Sequence, residues 1–557
     1  MTSIYGHQGT KPLGPFKLVT VNTAPERAKR LIGHLVEALK EKYTILHVAN
    51  VSEIKDVKPT VERFQPDMLV MIITWHCWLQ FCASMWTPAQ SSEIQSIARS
   101  TVPGIKTMAI PQGLQVEKGP DAIVEFLLEK VPLLIESAAA GTAAFRQYLP
   151  DLNTPRFQTA KDQDAYQYAE HFQKTQFPPW IYGLTKAWVK LLEEPYKGIT
   201  TDGNIIPNLF HVQDEGIPID RIVNSVQNVL NQLTPEQQAK LSYPLNAREW
   251  RAWSNPEFLL RPLGLRLEEQ PASIATSILA VLETTFSPEG YQKALSAMRI
   301  NHFLGQLCNM PRVMNALSYN FLLFGEPSLT RPWGWALYGH HLCLSVFLQG
   351  PQIFISPAFT GAEPNLIDEG EFAGTQILHR EEALGLQLMQ GLSAESQMKA
   401  RTYELLKDPA MALTGDLVSD RWNQDDQRIT CGAFRDNRIV PYEGILVSDF
   451  TRAEKKLVLD IVEQFMLYLP ERARKVRLQQ VEALFGETYF SWIGGFGESD
   501  AFYYRVQSPV VVVEFDHHSG VFLANREPAK FHTHTVLRMP NQGDYGCALR
   551  KGEDMVP

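Results

Sequence analysis

Strand-like and helix-like segments alternate through the first 140 residues, and this periodicity constrains the fold more than any other feature of the chain. Residues 16–22 (FKLVTVN), 43–50 (YTILHVAN), 68–74 (MLVMIIT) and 104–110 are short β-branched or apolar runs. The 68–74 run is apolar throughout, as a strand covered on both faces requires. Behind the first run, Ala28, Leu31, Ile32, Leu35, Val36 and Leu39 recur at helical spacing and form one apolar stripe. Thr23 and Glu26 have the spacing of a capping box, with Pro25 in the first turn. Further helices are predicted over 52–64, 88–99 and 120–136. Strand-helix repetition of this kind gives a parallel sheet.

The expectation is a doubly wound, flavodoxin-like α/β domain over residues 1–140. Its first turn reads NTAPER, not GxGxxG, and no GxxxxGK[ST] occurs in the chain, so no phosphate-binding loop is marked. Ligands of such sheets bind beyond the carboxyl ends of the strands. Here those ends carry Asn22-Thr23, Asn50, Trp75-His76-Cys77 and Pro111-Gln112-Gly113. A Cys77 nucleophile has one adjacent base, His76, and no orienting third group. A loop closing over the sheet is the preferred reading of residues 75–78.

Residues 141–180 are polar, Gln-rich and end in a double proline, which reads as a linker with a helix inside it. Beyond it, helices and strands come in blocks, the order of a larger α+β domain over 181–557 with mostly antiparallel strands. Segments 233–245 and 392–405 echo each other weakly, and are read as two helices that start alike. The chain has 52 basic and 61 acidic residues, a net charge of -9 that argues against broad phosphate neutralisation on nucleic acid. No apolar run reaches the ~18 residues of a membrane span, and residues 1–16 lack a secretory pattern. The 6 cysteines include no CxxC, so they are expected as free thiols in a reducing, cytoplasmic setting.

Three stretches could carry chemistry. Residues 332–348 (PWGWALYGHHLCLSVFL) alternate like one strand, on which His341 faces a pocket and His340 the core, unless a bulge exchanges them. Residues 355–382 contain Glu363 in a Gly-Ala-Glu-Pro turn; Asp368, Glu369, Glu371 and Glu381 are read as solvated loop charges. In the third stretch, Glu514 and Asp516 stand at i and i+2 on one strand, and His532 and His534 at i and i+2 on the next. Alternate residues share a face, so two imidazoles can converge on one ion at about 2.0–2.1 Å. His517 and His518 are expected in the loop between these strands. The Gly-rich segment 492–505 lies between strands, as a hairpin loop before Tyr503, Tyr504 and Arg505.

The succession LFGEPS, PWGWALYGHHL, FTGAEP, YYRVQSP, VEFD and HTHTVLR resembles a family of bacteria and fungi, the domain of unknown function numbered thirty-five hundred, over about residues 180–550. Its Gly-His-His, Gly-Ala-Glu-Pro, Glu-Tyr-Asp and His-x-His-Thr elements match at 339–341, 361–364, 514–516 and 532–535. Phe515 replaces an aromatic hydroxyl, and Leu537 stands where tryptophan is expected. The resemblance implies a shared pocket and, from its fungal members, a setting in secondary metabolism. The residues themselves suggest a divalent metal (Zn, Fe or Cu) held by His341, His532 and His534, with His340 the alternative. Glu363 or Asp516 is then a further ligand or base, and Tyr504 and Arg505 are substrate contacts. Water activation for hydrolysis or decarboxylation of a small molecule is the leading expectation. A non-catalytic His-rich binding or scaffold protein and an Fe/Cu oxygenase are the alternatives. Neither nucleic acid nor membrane is expected as a partner, and the oligomeric state stays open.

Overall fold

The computed structural model describes residues 13–71, 88–102, 105–110, 122–139, 144–411, 413–414, 420–550, 552 and 555–556. It divides into two compact units, residues 1–146 with 368–374 and residues 147–367 with 375–557.

The first unit contains β1 (Leu13–Val21), α1 (Pro25–Leu39), β2 (Tyr43–Val51), α2 (Val57–Phe64), β3 (Met68–Met71), α3 (Pro88–Thr101), β4 (Lys106–Ala109) and α4 (Ala122–Ala139). The strands are all parallel in the order β2-β1-β3-β4, the order with which flavodoxin-like sheets begin. Alternation along the strands divides the core. Leu18, Met68 and Val70 meet Leu31 and Leu35 of α1 and Leu127 of α4 on one face. Val19, Leu69 and Met71 meet Val57 and Val61 of α2 and Ile94 of α3 on the other. The sheet is therefore wound on both sides, as its apolar strands require. The Thr23–Glu26 capping box does not form. Ala24 is the N-cap, with no side-chain cap bond, and Asn22 Oδ1 accepts its N–H at 2.6 Å in an Asx turn that leads into the helix. Asn22 and Asn50, at the strand ends, are tied together by a 2.8 Å bond from Asn50 Nδ2 to the Asn22 carbonyl. Residues 75–78, Cys77 among them, and 111–113 lie outside the described residues.

The second unit begins with helices α5 (Pro155–Ala160), α6 (Ala165–Thr175) and α7 (Pro179–Glu193). These run through the stretch read as a linker. Phe157 and Phe172 are buried among residues from later in the chain, so this segment is part of the larger unit's core.

One mixed, mostly antiparallel sheet of 12 strands organises that unit. Its first half comprises β5 (Ser242–Tyr243), β6 (Leu265–Arg266), β7 (Tyr319–Phe324), β8 (Pro332–Gly339), β9 (Leu342–Gln349) and β10 (Gln352–Ala362). Its second half comprises β11 (Arg401–Tyr403), β12 (Ile445–Leu446), β13 (Tyr489–Gly494), β14 (Phe502–Gln507), β15 (Val512–His518) and β16 (Ala529–Arg538). The halves follow the same path. A short helix leads to an edge strand parallel to the first long strand (β5 to β7, β11 to β13), and a second short strand pairs antiparallel to it (β6, β12). Two helices and a four-strand meander follow in each half. The meanders join through the antiparallel pair β10–β16, where Ala358 faces Leu537 and Gly361 faces His534. The two segments that echo each other in sequence are the equivalent edge elements of this arrangement. Their likeness is positional, not incidental. Both starts are capped as helices, by Thr234 with Gln237 and by Ser393 with Ser396.

Residues 332–348 depart from expectation. They form a hairpin, not one strand, with His340 and His341 as its two-residue turn between Gly339 and Leu342. His341 takes φ +62°, a left-handed conformation that such a tight reversal needs. The predicted alternation across the pair is thereby broken at the histidines. Residues 492–505 do form the expected hairpin, β13 to β14.

Candidate metal centre

The site lies where the two meanders meet. His534 of β16 faces Gly361 on one side and Asp516 of β15 on the other. His532, two residues earlier, shares its face. The hairpin turn delivers the third imidazole: Gly361 N–H donates to the His341 carbonyl at 2.8 Å, and His341 N–H to the Asn255 carbonyl at 3.3 Å. His341 Nε2 approaches His534 Nε2 at 3.2 Å, and His532 Nε2 approaches the same atom at 3.1 Å. One ligand atom from each of the three lies within 4.8 Å of the others, and among the described residues no other such trio of histidine, cysteine or carboxylate groups converges.

Two nitrogens held at about 2.0–2.1 Å from one ion at a tetrahedral angle lie about 3.3–3.4 Å apart. The observed separations are close to that. His534 Nε2 faces two other Nε2 atoms, and a single ring nitrogen is either donor or acceptor. Burial, reinforced by the neighbouring imidazoles, holds His341, His532 and His534 well below the ordinary histidine range. All three are thus in the neutral form that a metal takes.

Packing sets the ring orientations. His340 stacks on His341 with centroids 3.8 Å apart, and Phe359 stands edge-on to His534 at 5.2 Å. Gly361 makes room for both: a Cβ there would lie 2.7 Å from His341 Cδ2 and 3.0 Å from His534 Cδ2. His340 itself turns Nδ1 to Asn301 Oδ1 at 2.9 Å and stands beside the trio, outside the converging set.

Glu363 is fully buried in a nest of backbone donors. The N–H groups of Val521, Phe522 and Leu523 donate to it at 2.9–3.2 Å. Burial pushes its carboxyl up to about 7 against the pull of those donors. Its Oε1 lies 3.6 Å from His532 Nδ1, beyond hydrogen-bond reach. The Nδ1 atoms of His341, His532 and His534 have no hydrogen-bond partner among the described residues.

Asp516 shares the histidine face and is clasped by Arg428, Nε at 2.6 Å and Nη2 at 3.1 Å. Burial raises its carboxyl to about 7, and the Arg428 charge and hydrogen bonds oppose the rise. Glu514 is enclosed by Thr430 N–H, Thr430 Oγ1, Cys431 N–H and Tyr503 Oη at 2.6–2.8 Å. Arg428, Thr430 and Cys431 come from a segment, 420–440, that straps this face of the sheet. No sequence motif marked it, because its role depends on where it crosses. Of the other two candidate contacts, Arg505 lies opposite Glu514 on the same face of the sheet and Tyr504 does not. Tyr504 stacks on Phe515 at 5.2 Å and donates to the Glu381 carbonyl at 2.8 Å, on the opposite face. Arg505 is held by Glu443 at 2.9 Å. The expected loop acids also differ, since Glu381 is buried against Lys293 and Asp368 pairs with Arg146 at 2.7 Å.

His517 and His518 end β15 and do not lie in the following loop. His517 Nδ1 accepts the Phe502 N–H at 3.0 Å, so its Nε2 carries the proton offered to Glu382 at 3.1 Å. His518 was not singled out by the sequence, yet its ring centroid stands 4.7 Å from His532 and 4.5 Å from His534. The described cysteines, Cys308, Cys343, Cys431 and Cys547, are buried free thiols.

A family model described as a protein of unknown function, DUF3500, matches residues 215–547, the stretch holding all three histidines, and leaves the N-terminal unit uncovered. No curated protein and no solved structure matches the chain.

Proposed function

The chain belongs to the DUF3500 family, and on that premise we propose that it is a metal-dependent enzyme acting on a small organic substrate. His341, His532 and His534 are the metal ligands. The observation that carries this reading is the approach of three buried, neutral Nε2 atoms at 3.1 and 3.2 Å. A divalent ion on three imidazoles keeps a position open and lowers the pKa of a bound water toward about 7, which suits hydrolytic or decarboxylative chemistry.

The protein's own groups then divide their roles. Glu363, with both oxygens occupied by backbone donors, is not a ligand but sets a carboxyl 3.6 Å from His532 Nδ1. Asp516, opposite His534 and fixed by Arg428, is the carboxylate placed to accept a proton. One feature favours a second reading, a His-rich pocket that binds a ligand without turnover. The Nδ1 atoms of His341, His532 and His534 lack the outer partner that metal-bound histidines usually have. The same three imidazoles would also suit Fe or Cu, so an oxygenase is separated from a hydrolase by the identity of the metal.

Elemental analysis of purified protein decides among these. Near one equivalent of Zn, Fe or Cu is expected in the wild type, and none in a His532→Ala/His534→Ala variant with an unchanged circular dichroism spectrum. Wild-type protein that is free of metal and takes up none from added Zn, Fe or Cu salts would sink the proposal.

A further inference from the structure

Beside the histidine site, within the second unit, lies a cavity of about 520 Å³. That volume falls in the range of small-molecule sites. One wall is the segment from His518 to Val521. The same segment serves the metal centre from its other side: His518 packs on His532 and His534, and Val521 N–H donates to Glu363 at 2.9 Å. Cavity and histidines thus share a wall one side chain thick. The opposite walls are aromatic. Phe172 of α6 and Phe258 stack with centroids 4.4 Å apart, and Trp180 of α7 packs against them.

Among the lining residues one carries a permanent positive charge, Arg156 of α5. Its Nη1 donates to the Val521 carbonyl at 2.7 Å and its guanidinium lies 4.7 Å over the Phe522 ring, so it is fixed at the shared wall. Glu257, the acid in the cavity, already accepts the Tyr168 hydroxyl at 2.8 Å. Gln163 also lines the cavity, and its Oε1 is buried without a partner. A guanidinium fixed beside aromatic walls recognises a flat ring bearing a carboxylate.

We infer that this cavity is a ligand site beside the histidine centre, for a small planar aromatic carboxylate whose acid group meets Arg156 next to His518. None of His341, His532, His534 and Asp516 is among its lining residues, so the assignment stands apart from the enzyme reading above. Residues 155–181, which supply Arg156, Phe172 and Trp180, precede the family match at 215–547, whereas Phe258 and the His518–Val521 wall lie within it.

The test uses 2-naphthoate as probe, titrated by calorimetry into full-length protein whose metal content is measured in parallel. Saturable binding at one equivalent is expected for the wild type. Trp180→Ala and Arg156→Gln should each weaken it at least tenfold, with folding checked by circular dichroism; Trp180, half-buried at the start of α7, covers the case in which Arg156→Gln fails to fold. His532→Ala/His534→Ala should change affinity less than about threefold. Absence of saturable binding overturns the inference, as does wild-type affinity in a folded Trp180→Ala variant. Loss of binding in a folded double-histidine variant overturns it too, because the probe would then sit on the imidazoles. Binding without metal sinks the enzyme reading and leaves the cavity assignment, and metal without binding does the reverse.

Discussion

A single hydrogen decides whether the three imidazoles can meet. Gly361 is opposite His534 and beneath His341, and no larger side chain fits between them. Gly361→Ala is expected to displace His341 and weaken zinc affinity at least tenfold, read by competition with a chromophoric chelator; unchanged affinity would show that His341 is not a ligand. Arg428 and Asp516 make the complementary case for stability. Both are buried, 1% and 0% exposed as side chains, so Arg428→Met leaves a carboxylate unpaired in the interior. A loss of about 3–5 kcal/mol in urea unfolding is expected, and Asp516→Asn in the same chain should restore part of it. If the single variant unfolds like the wild type, Asp516 has another partner or is uncharged. Among the site residues, the sequence singled out His532, His534 and Asp516, because an i, i+2 spacing on a strand already states that side chains share a face, and Glu363 by its Gly-Ala-Glu-Pro turn. It left His340 and His341 interchangeable, because a two-residue turn has no such rule.

Among the elements, β15 shows how one strand serves two surfaces. Asp516 and His518 face the strap and the metal ligands, while Phe515 and His517 face helices on the other side. The His517–Glu382 contact there has a pH signature. Burial works to raise the Glu382 carboxyl, but the His517 hydrogen bond and the interaction with Lys530 outweigh it, and the group sits below its ordinary value. A depressed carboxylate contributes stability that is fully present above its unfolded pKa, about 4.3, and is lost as pH falls through the folded value. The urea midpoint of Glu382→Gln should therefore lie below that of the wild type at pH 6, and the gap should close as pH falls below about 4. A gap independent of pH would mean that the contact acts through packing. The strap over 420–440 and the histidine turn were not readable as elements of a site. Their local sequences specify a polar loop and a tight reversal, and only the sheet they cross gives them neighbours.

Two compact units, each with its own core, make the chain a candidate for two unfolding transitions. The histidines all belong to the second. Zinc at 100 times its dissociation constant stabilises the state that binds it by about 2.7 kcal/mol, a rise of about 3 °C for a unit of this size. Differential scanning calorimetry with zinc and with chelator should therefore move one transition and leave the other. Equal movement of both, or a single transition, would mean that the units unfold together. The duplicated path of the larger sheet is also a property of the whole. Its two edges echo each other over a dozen residues of sequence, too little to separate a repeat from two similar helix starts, whereas the strand order shows the equivalence at once.

By itself the sequence determined the class of each unit and the main ingredients of the site. Period-2 and period-3.6 patterns are local, and each strand or helix carries its own copy of the signal, so the parallel N-terminal sheet and the antiparallel blocks beyond it could be read directly. What converges on what was decided by tertiary structure. His341 comes to His534 across 193 residues of chain, and Arg428 comes to Asp516 across 88. Tyr504 and Arg505 were drawn toward the site by proximity in sequence, yet pleating sends Tyr504 to the far face and an ion pair with Glu443 holds Arg505. Contacts of that kind depend on register and crossing, which are set by the packing of whole sheets and have no counterpart in the spacing of neighbouring residues.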